Sequence, residues 1–187
     1  MIDKDKMFRL AKLHRHPVYE VTAEVTAIHE AGHNVVQLVT GLKPTKTTVN
    51  RKELTGVAKY ETYSTECSTP LEEMPIEVQQ MGACILAAMY QAGGIAERIF
   101  TGTSVEGIVM PYGIDEKASR KILAMVGLPA LSQYPDLLAK EILLKHWPMV
   151  KKIAHELQIN GEIEWDSSPL TQELLLDASQ GDLVSPA

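Results

Sequence analysis

The stretch from residue 76 to residue 100 places the strongest constraint on the fold. Its middle, with Ala83, Ile85, Leu86, Ala87, Ala88 and Met89, is apolar on nearly every side of a helix, and a helix without a polar face has to be sheathed by other elements. The spacing predicts a buried helix, opened by Pro70 and Pro75 and closed at Thr101-Gly102-Thr103. A chain of 187 residues, 45% of them hydrophobic, can build that sheath as one domain of moderate size and is short for two.

The remaining pattern supplies the partners. Apolar residues recur at helical spacing over residues 21–39 (Val25, Ile28, Val35, Val36, Val39), with Gly41 and Pro44 as the stop. Residues 46–50 and 56–63 are rich in β-branched and aromatic residues and flank a polar turn, so they read as two short strands. Three glycines and a proline make residues 102–113 a loop, after which Asp115 begins an amphipathic helix that runs through Val126 to Gly127-Leu128-Pro129. Another helix follows over residues 136–157, and Pro148 should kink or break it because proline removes a backbone donor. A weak helical pattern covers 170–178. The expectation is a mostly α fold with a small β element, divided into an N-terminal arm (1–20), a main domain (21–166) and a C-terminal tail (167–187).

Composition narrows the function classes. The net charge of −6 argues against nucleic-acid binding, since phosphates call for a basic surface. No apolar run approaches the roughly 18 residues of a membrane helix, and Met-Ile-Asp-Lys-Asp-Lys is not a signal-peptide start. A cytoplasmic protein without a membrane partner is expected. Cys67 and Cys84 are too few for a disulfide framework and too far apart for a zinc knuckle; Cys84 reads as a small core residue, as do Met81 and Met89.

Within the first helix the chain reads His29-Glu30-Ala31-Gly32-His33. Residues four apart share a helix face, so both imidazoles can converge on one metal ion while Glu30 stays close beside them. Gly32 inside a helix costs about 0.5–1 kcal/mol relative to alanine, which asks for a packing or functional reason. Neutral imidazole suits zinc. A catalytic zinc takes a third protein ligand and leaves its fourth position to water. Two adjacent glycines, Gly93 and Gly94, would let the second helix pack closely against Ala31-Gly32 and bring its late part beside the metal.

His-Glu-Ala-Gly-His, the following β segment Gly56-Val57-Ala58-Lys59-Tyr60, and Ala92-Gly93-Gly94-Ile95-Ala96-Glu97 with Phe100 and Gly102 occur in the order of one known family. Over residues 22–165 the chain resembles the peptidase domain of the FtsH-type membrane-bound AAA proteases. The resemblance implies a helical peptidase domain of zincin type, with zinc held by His29, His33 and an aspartate at the start of the next helix, whose place Asp115 occupies. It implies Glu30 as the base that takes a proton from water. Glu97 is expected to accept from the far ring nitrogen of a ligand histidine, with a direct ligand role or an ordinary ion pair as the alternatives. Two features depart from the family. The loop between Phe100 and Asp115 is longer and does not keep the pattern Thr-Thr-Gly-Ala-Ser-Asn-Asp, and Asn34 stands where a small apolar residue is usual.

The expected activity is zinc-dependent hydrolysis of peptide bonds in unfolded or flexible polypeptides. No Gly-x-x-x-x-Gly-Lys-Ser/Thr loop occurs in the 187 residues, so the expectation is an ATP-independent activity of a stand-alone peptidase domain, with any ATPase partner acting in trans. A monomer or small oligomer follows. The competing expectation is an inactive, peptidase-like interaction module, favoured by the altered loop and Asn34 and opposed by the retention of Glu30. His14, His16, His146 and His155 have no partner at metal-ligand spacing and read as solvent-facing or capping residues.

Overall fold

The first helix, α1, spans Ala23–Val39 and starts where the sequence offers a cap: the Thr22 hydroxyl accepts from the Val25 backbone N–H at 3.2 Å. Gly41, in the left-handed region at φ 80°, turns the chain out of the helix. The computed structural model describes residues 21–61, 73–102, 114–129, 133–171 and 174. The expected arm with His14 and His16, strand residues 62–63, Cys67, Pro70, loop residues 103–113 and most of the tail lie outside the described residues.

Strand β1 (Lys43–Asn50) pairs antiparallel with β2 (Thr55–Glu61), and the Asn50 side chain accepts from the backbone N–H groups of Lys52 and Glu53 to shape the turn between them. A third strand, β3 (Glu162–Glu164), was not expected; it pairs with the other side of β1 and gives the order β2-β1-β3. β2 is therefore an edge strand among the described residues.

Helix α2 (Ile76–Thr101) begins after Pro75 and ends at Gly102, again left-handed. It packs against α1, against α3 (Ile114–Met125) and against α4 (Tyr134–Lys145). The expectation that its middle is buried all round needs correction. Ala83, Ala87, Ala88 and Met89 are buried, but Cys84, Ile85 and Leu86 are only half-buried and Met81 is 61% exposed. Ala83, Ala87, Ala88 and Met89 make the packed face, while Ile85 and Leu86 pack against the core only at its margin. The more completely sheathed helix is α1, in which every residue from Val25 to Leu38 except His29 is buried. It lies between α2, α5 (Trp147–Asn160), α4 and the two strands β1 and β2.

The break foreseen at Pro148 is real: α4 and α5 are separate helices joined at His146, and Pro148 sits in the first turn of α5, where a missing N–H costs nothing. After β3, Trp165 is buried and its indole Nε1 donates to the Thr47 hydroxyl at 2.9 Å. Leu170 and Leu174 join the same core. The fold is mostly α with a small three-stranded antiparallel sheet.

Candidate metal centre

The helical repeat of α1 sets His29 and His33 one turn apart, with ring centroids 4.8 Å apart and planes at 73°. Their Nε2 atoms face each other at 3.0 Å. Asp115, in the first turn of α3, brings Oδ2 to 3.3 Å from His29 Nε2 and 3.5 Å from His33 Nε2. Both Nδ1 atoms are occupied elsewhere: that of His29 meets Glu97 Oε1 at 2.6 Å, and that of His33 donates to the Met89 carbonyl at 2.7 Å. The far nitrogens thus fix the ring orientations and leave the Nε2 pair and the carboxylate pointing at one spot, the usual division of labour in a histidine metal site.

These three atoms could hold a metal ion. Ligand bonds of about 2.0–2.2 Å in tetrahedral geometry separate the ligand atoms by roughly 3.3–3.5 Å. The distances of 3.0, 3.3 and 3.5 Å fall on or near that spacing. The electrostatics agree. Burial alone would lower the His29 pKa, but Asp115 and Glu97 outweigh it and raise it from 6.5 to about 10. Burial would raise that of Asp115, and its contacts to His29 and His33 instead carry it well below the usual carboxylate range. The cluster is built around a positive charge, which a proton or a metal ion can supply.

Two glycines make the geometry possible. A Cβ on Gly32 would lie 2.7 Å from the Ala96 Cβ and 2.8 Å from the Ala92 carbonyl oxygen, so α2 rests directly on the α1 backbone. A Cβ on Gly93 would lie within 2.6 Å of both histidine Nε2 atoms. Gly94, expected to share this role, has nothing within 4 Å of the place of its Cβ and takes no part.

Glu30 is 5% exposed and lines the same cleft as the triad. Gly56 of β2 walls it in: a Cβ there would meet Glu30 Oε1 at 2.6 Å. Burial pushes its carboxyl pKa up, and the nearby His33 and His29 pull in the other direction without cancelling the shift. The cleft holds about 500 Å³ and is walled further by Glu97, Met89, Tyr60 and Tyr90, and by the start of β2. A shallower depression of about 740 Å³ lies on the hairpin around Arg51 and Lys52 and includes none of the triad.

The structure thus gathers His29, Glu30, His33, Glu97 and Asp115. Asn34 points away from this cluster. Its Nδ2 donates to Gln37 Oε1 at 3.0 Å and its Oδ1 accepts from the Thr47 hydroxyl at 2.9 Å, so it ties α1 to β1. His155 is exposed and His146 sits at the helix junction, apart from the site. Sequence reasoning missed the Met89 carbonyl, for which a side-chain pattern carries no signal, and Gly56, for which a glycine inside a strand was a signal of close approach. No helix among the described residues is long and apolar enough to cross a membrane. Comparison with protein-family models and with curated proteins finds no match for this chain.

Proposed function

We propose that this chain is a zinc-dependent metallopeptidase of the FtsH peptidase kind, acting on unfolded or flexible polypeptides. One observation carries the reading: a buried acid, Glu30, shares a cleft with three converging donors, His29, His33 and Asp115. Two imidazoles and one carboxylate are a donor set suited to zinc with a position left for water. When bound, zinc supplies Lewis acidity that makes water a nucleophile near neutral pH and polarises a carbonyl.

The protein's own residues do the rest. Glu97 and the Met89 carbonyl hold the two rings in register through Nδ1. Glu30 takes the proton of the attacking water on its carboxylate and delivers it to the leaving amine nitrogen. A carboxyl whose pKa is raised by burial suits both halves of that transfer. β2, an edge strand among the described residues, lines the cleft from Thr55 to Ala58. An extended peptide can add to such an edge through backbone hydrogen bonds that depend little on side chains, which favours flexible segments as substrates. Folded proteins would then have to be unfolded by a separate partner.

The test is cleavage of fluorogenic flexible peptides and of casein by the zinc-loaded protein without ATP, beside Glu30→Gln. Activity in the parent, reduced roughly 10²- to 10⁴-fold in the variant at equal zinc content, is expected. Equal zinc with no cleavage by the parent refutes the proposal and leaves the interaction module.

A further inference from the structure

We propose that Tyr60 and Tyr90 form a paired-phenol subsite that donates a hydrogen bond to a carbonyl oxygen of the bound peptide; the identity of the ligand rests on the peptidase reading above. Tyr60 comes from β2 and Tyr90 from α2, on the stripe that also carries Gly93 and Glu97 at spacings of three and four. Both are half-buried and both line the metal cleft. Their hydroxyl oxygens lie 3.3 Å apart.

The proton count makes the pair a donor. Two phenols carry two O–H protons, and the bond between them uses one. No other hydrogen bond to either hydroxyl is present among the described residues. The second proton is left for an acceptor in the cleft. It is also the better donor of the two, because its own oxygen accepts from the partner phenol and is polarised by it. Burial and the Tyr90 hydroxyl push the Tyr60 pKa up, so the phenol stays protonated at any working pH.

The rest of the cleft wall selects the acceptor. Among the described residues it contains three acids, Glu30, Glu97 and Asp115, and neither lysine nor arginine. Away from the metal triad a carboxylate ligand would meet no cation among the described residues of the wall, whereas a neutral carbonyl needs none. Of the other wall hydroxyls, that of Thr26 is spent on the Thr22 carbonyl at 3.0 Å, and Thr55 sits at the exposed start of β2.

The experiment measures binding, so that it does not depend on turnover. Zinc-loaded Glu30→Gln protein is titrated with a fluorescein-labelled, unstructured peptide of neutral residues, read by anisotropy, alone and with Tyr60→Phe, Tyr90→Phe or both. Each single variant keeps one O–H, now released from the pair bond, and should bind within about twofold of the parent. The double variant has none and should lose about five- to tenfold in affinity, the worth of one hydrogen bond, at unchanged zinc content and melting temperature. A double variant that binds like the parent, or single variants that each lose as much as the double, overturns the subsite. A second readout needs no tyrosine substitution: peptide binding should shift the tyrosine ultraviolet absorption to the red, and no shift counts against the proposal. Phenol-dependent binding by a protein whose parent cleaves nothing overturns the peptidase reading and leaves the subsite standing. Absence of binding overturns both.

Discussion

Gly93→Ala adds one methyl group to the candidate metal centre, and its effect can be worked out from distances. The new Cβ would stand 2.5 Å from His29 Cδ2 and 2.6 Å from His33 Nε2. Carbon–carbon contact asks for roughly 3.5 Å, so the rings or α2 must retreat by about 1 Å. Metal–ligand distances tolerate about 0.2 Å, a fifth of that displacement. Neither ring can swing away cheaply, because each is held at Nδ1, by Glu97 and by the Met89 carbonyl. Zinc affinity should therefore fall at least about a hundredfold, the upper range found when ligand-orienting partners are lost. Gly94→Ala is the control. It makes the same chemical change one residue along the same helix, with nothing within 4 Å of the new methyl. It should keep zinc and gain about 0.5–1 kcal/mol from helix propensity. Elemental analysis and competition with a chromophoric chelator measure both variants. If Gly93→Ala holds zinc as tightly as Gly94→Ala, the three donors do not form the metal site.

Gly56→Ala should act on the base without touching the ligands: the methyl displaces the Glu30 carboxylate, so peptide cleavage should drop at least tenfold, a modest part of what a positioned base contributes, while zinc content stays unchanged. Loss of zinc together with activity would contradict that separation. In the metal-free protein the raised His29 pKa contributes stability that is complete below 6.5 and is lost as pH rises through about 10. Its melting temperature should fall across that alkaline window, and a flat profile would show that His29 carries no proton between Asp115 and Glu97. Asn34→Leu leaves the Thr47 hydroxyl and the Gln37 amide oxygen without the partner they share. It should cost about 2–3 kcal/mol in urea unfolding with zinc retained; a loss below about 1 kcal/mol would mean that water replaces the amide.

What could be read from the sequence was what is local. The spacing of His29 and His33, the glycine between them and the break at Pro148 all follow from helical geometry within one turn. Asp115 lies 86 residues from His29, and only the resemblance to a peptidase family pointed to it. β3 is three residues long and pairs with a strand 118 residues earlier, as in Lys46 with Glu164; a segment that short has too little period to register. The apolar run in α2 was over-read because the apolar character of Met81, Ile85 and Leu86 does not say which sides of a helix its neighbours reach. Only the neighbours in space decide, and they cover Ala87 and Ala88 completely and Ile85 only in part.

The interior glycines of α1 and α2 show how local conflicts are resolved at the site. Gly32 and Gly93 each weaken a helix by about 0.5–1 kcal/mol, and each meets an atom that alanine would strike. Gly82 and Gly94 carry the same cost with nothing within 4 Å. The useful pair works in sequence. Gly32 lets the α2 backbone settle onto α1, and that approach is what brings the Met89 carbonyl and the Glu97 carboxylate within reach of the two Nδ1 atoms. Gly93 then leaves the far side of the rings open, where Nε2 would meet a metal ion. A methyl at position 32 would lift α2 and loosen both rings from behind, while one at 93 would block them from the front. The site is specified as much by two absent side chains as by the three that donate.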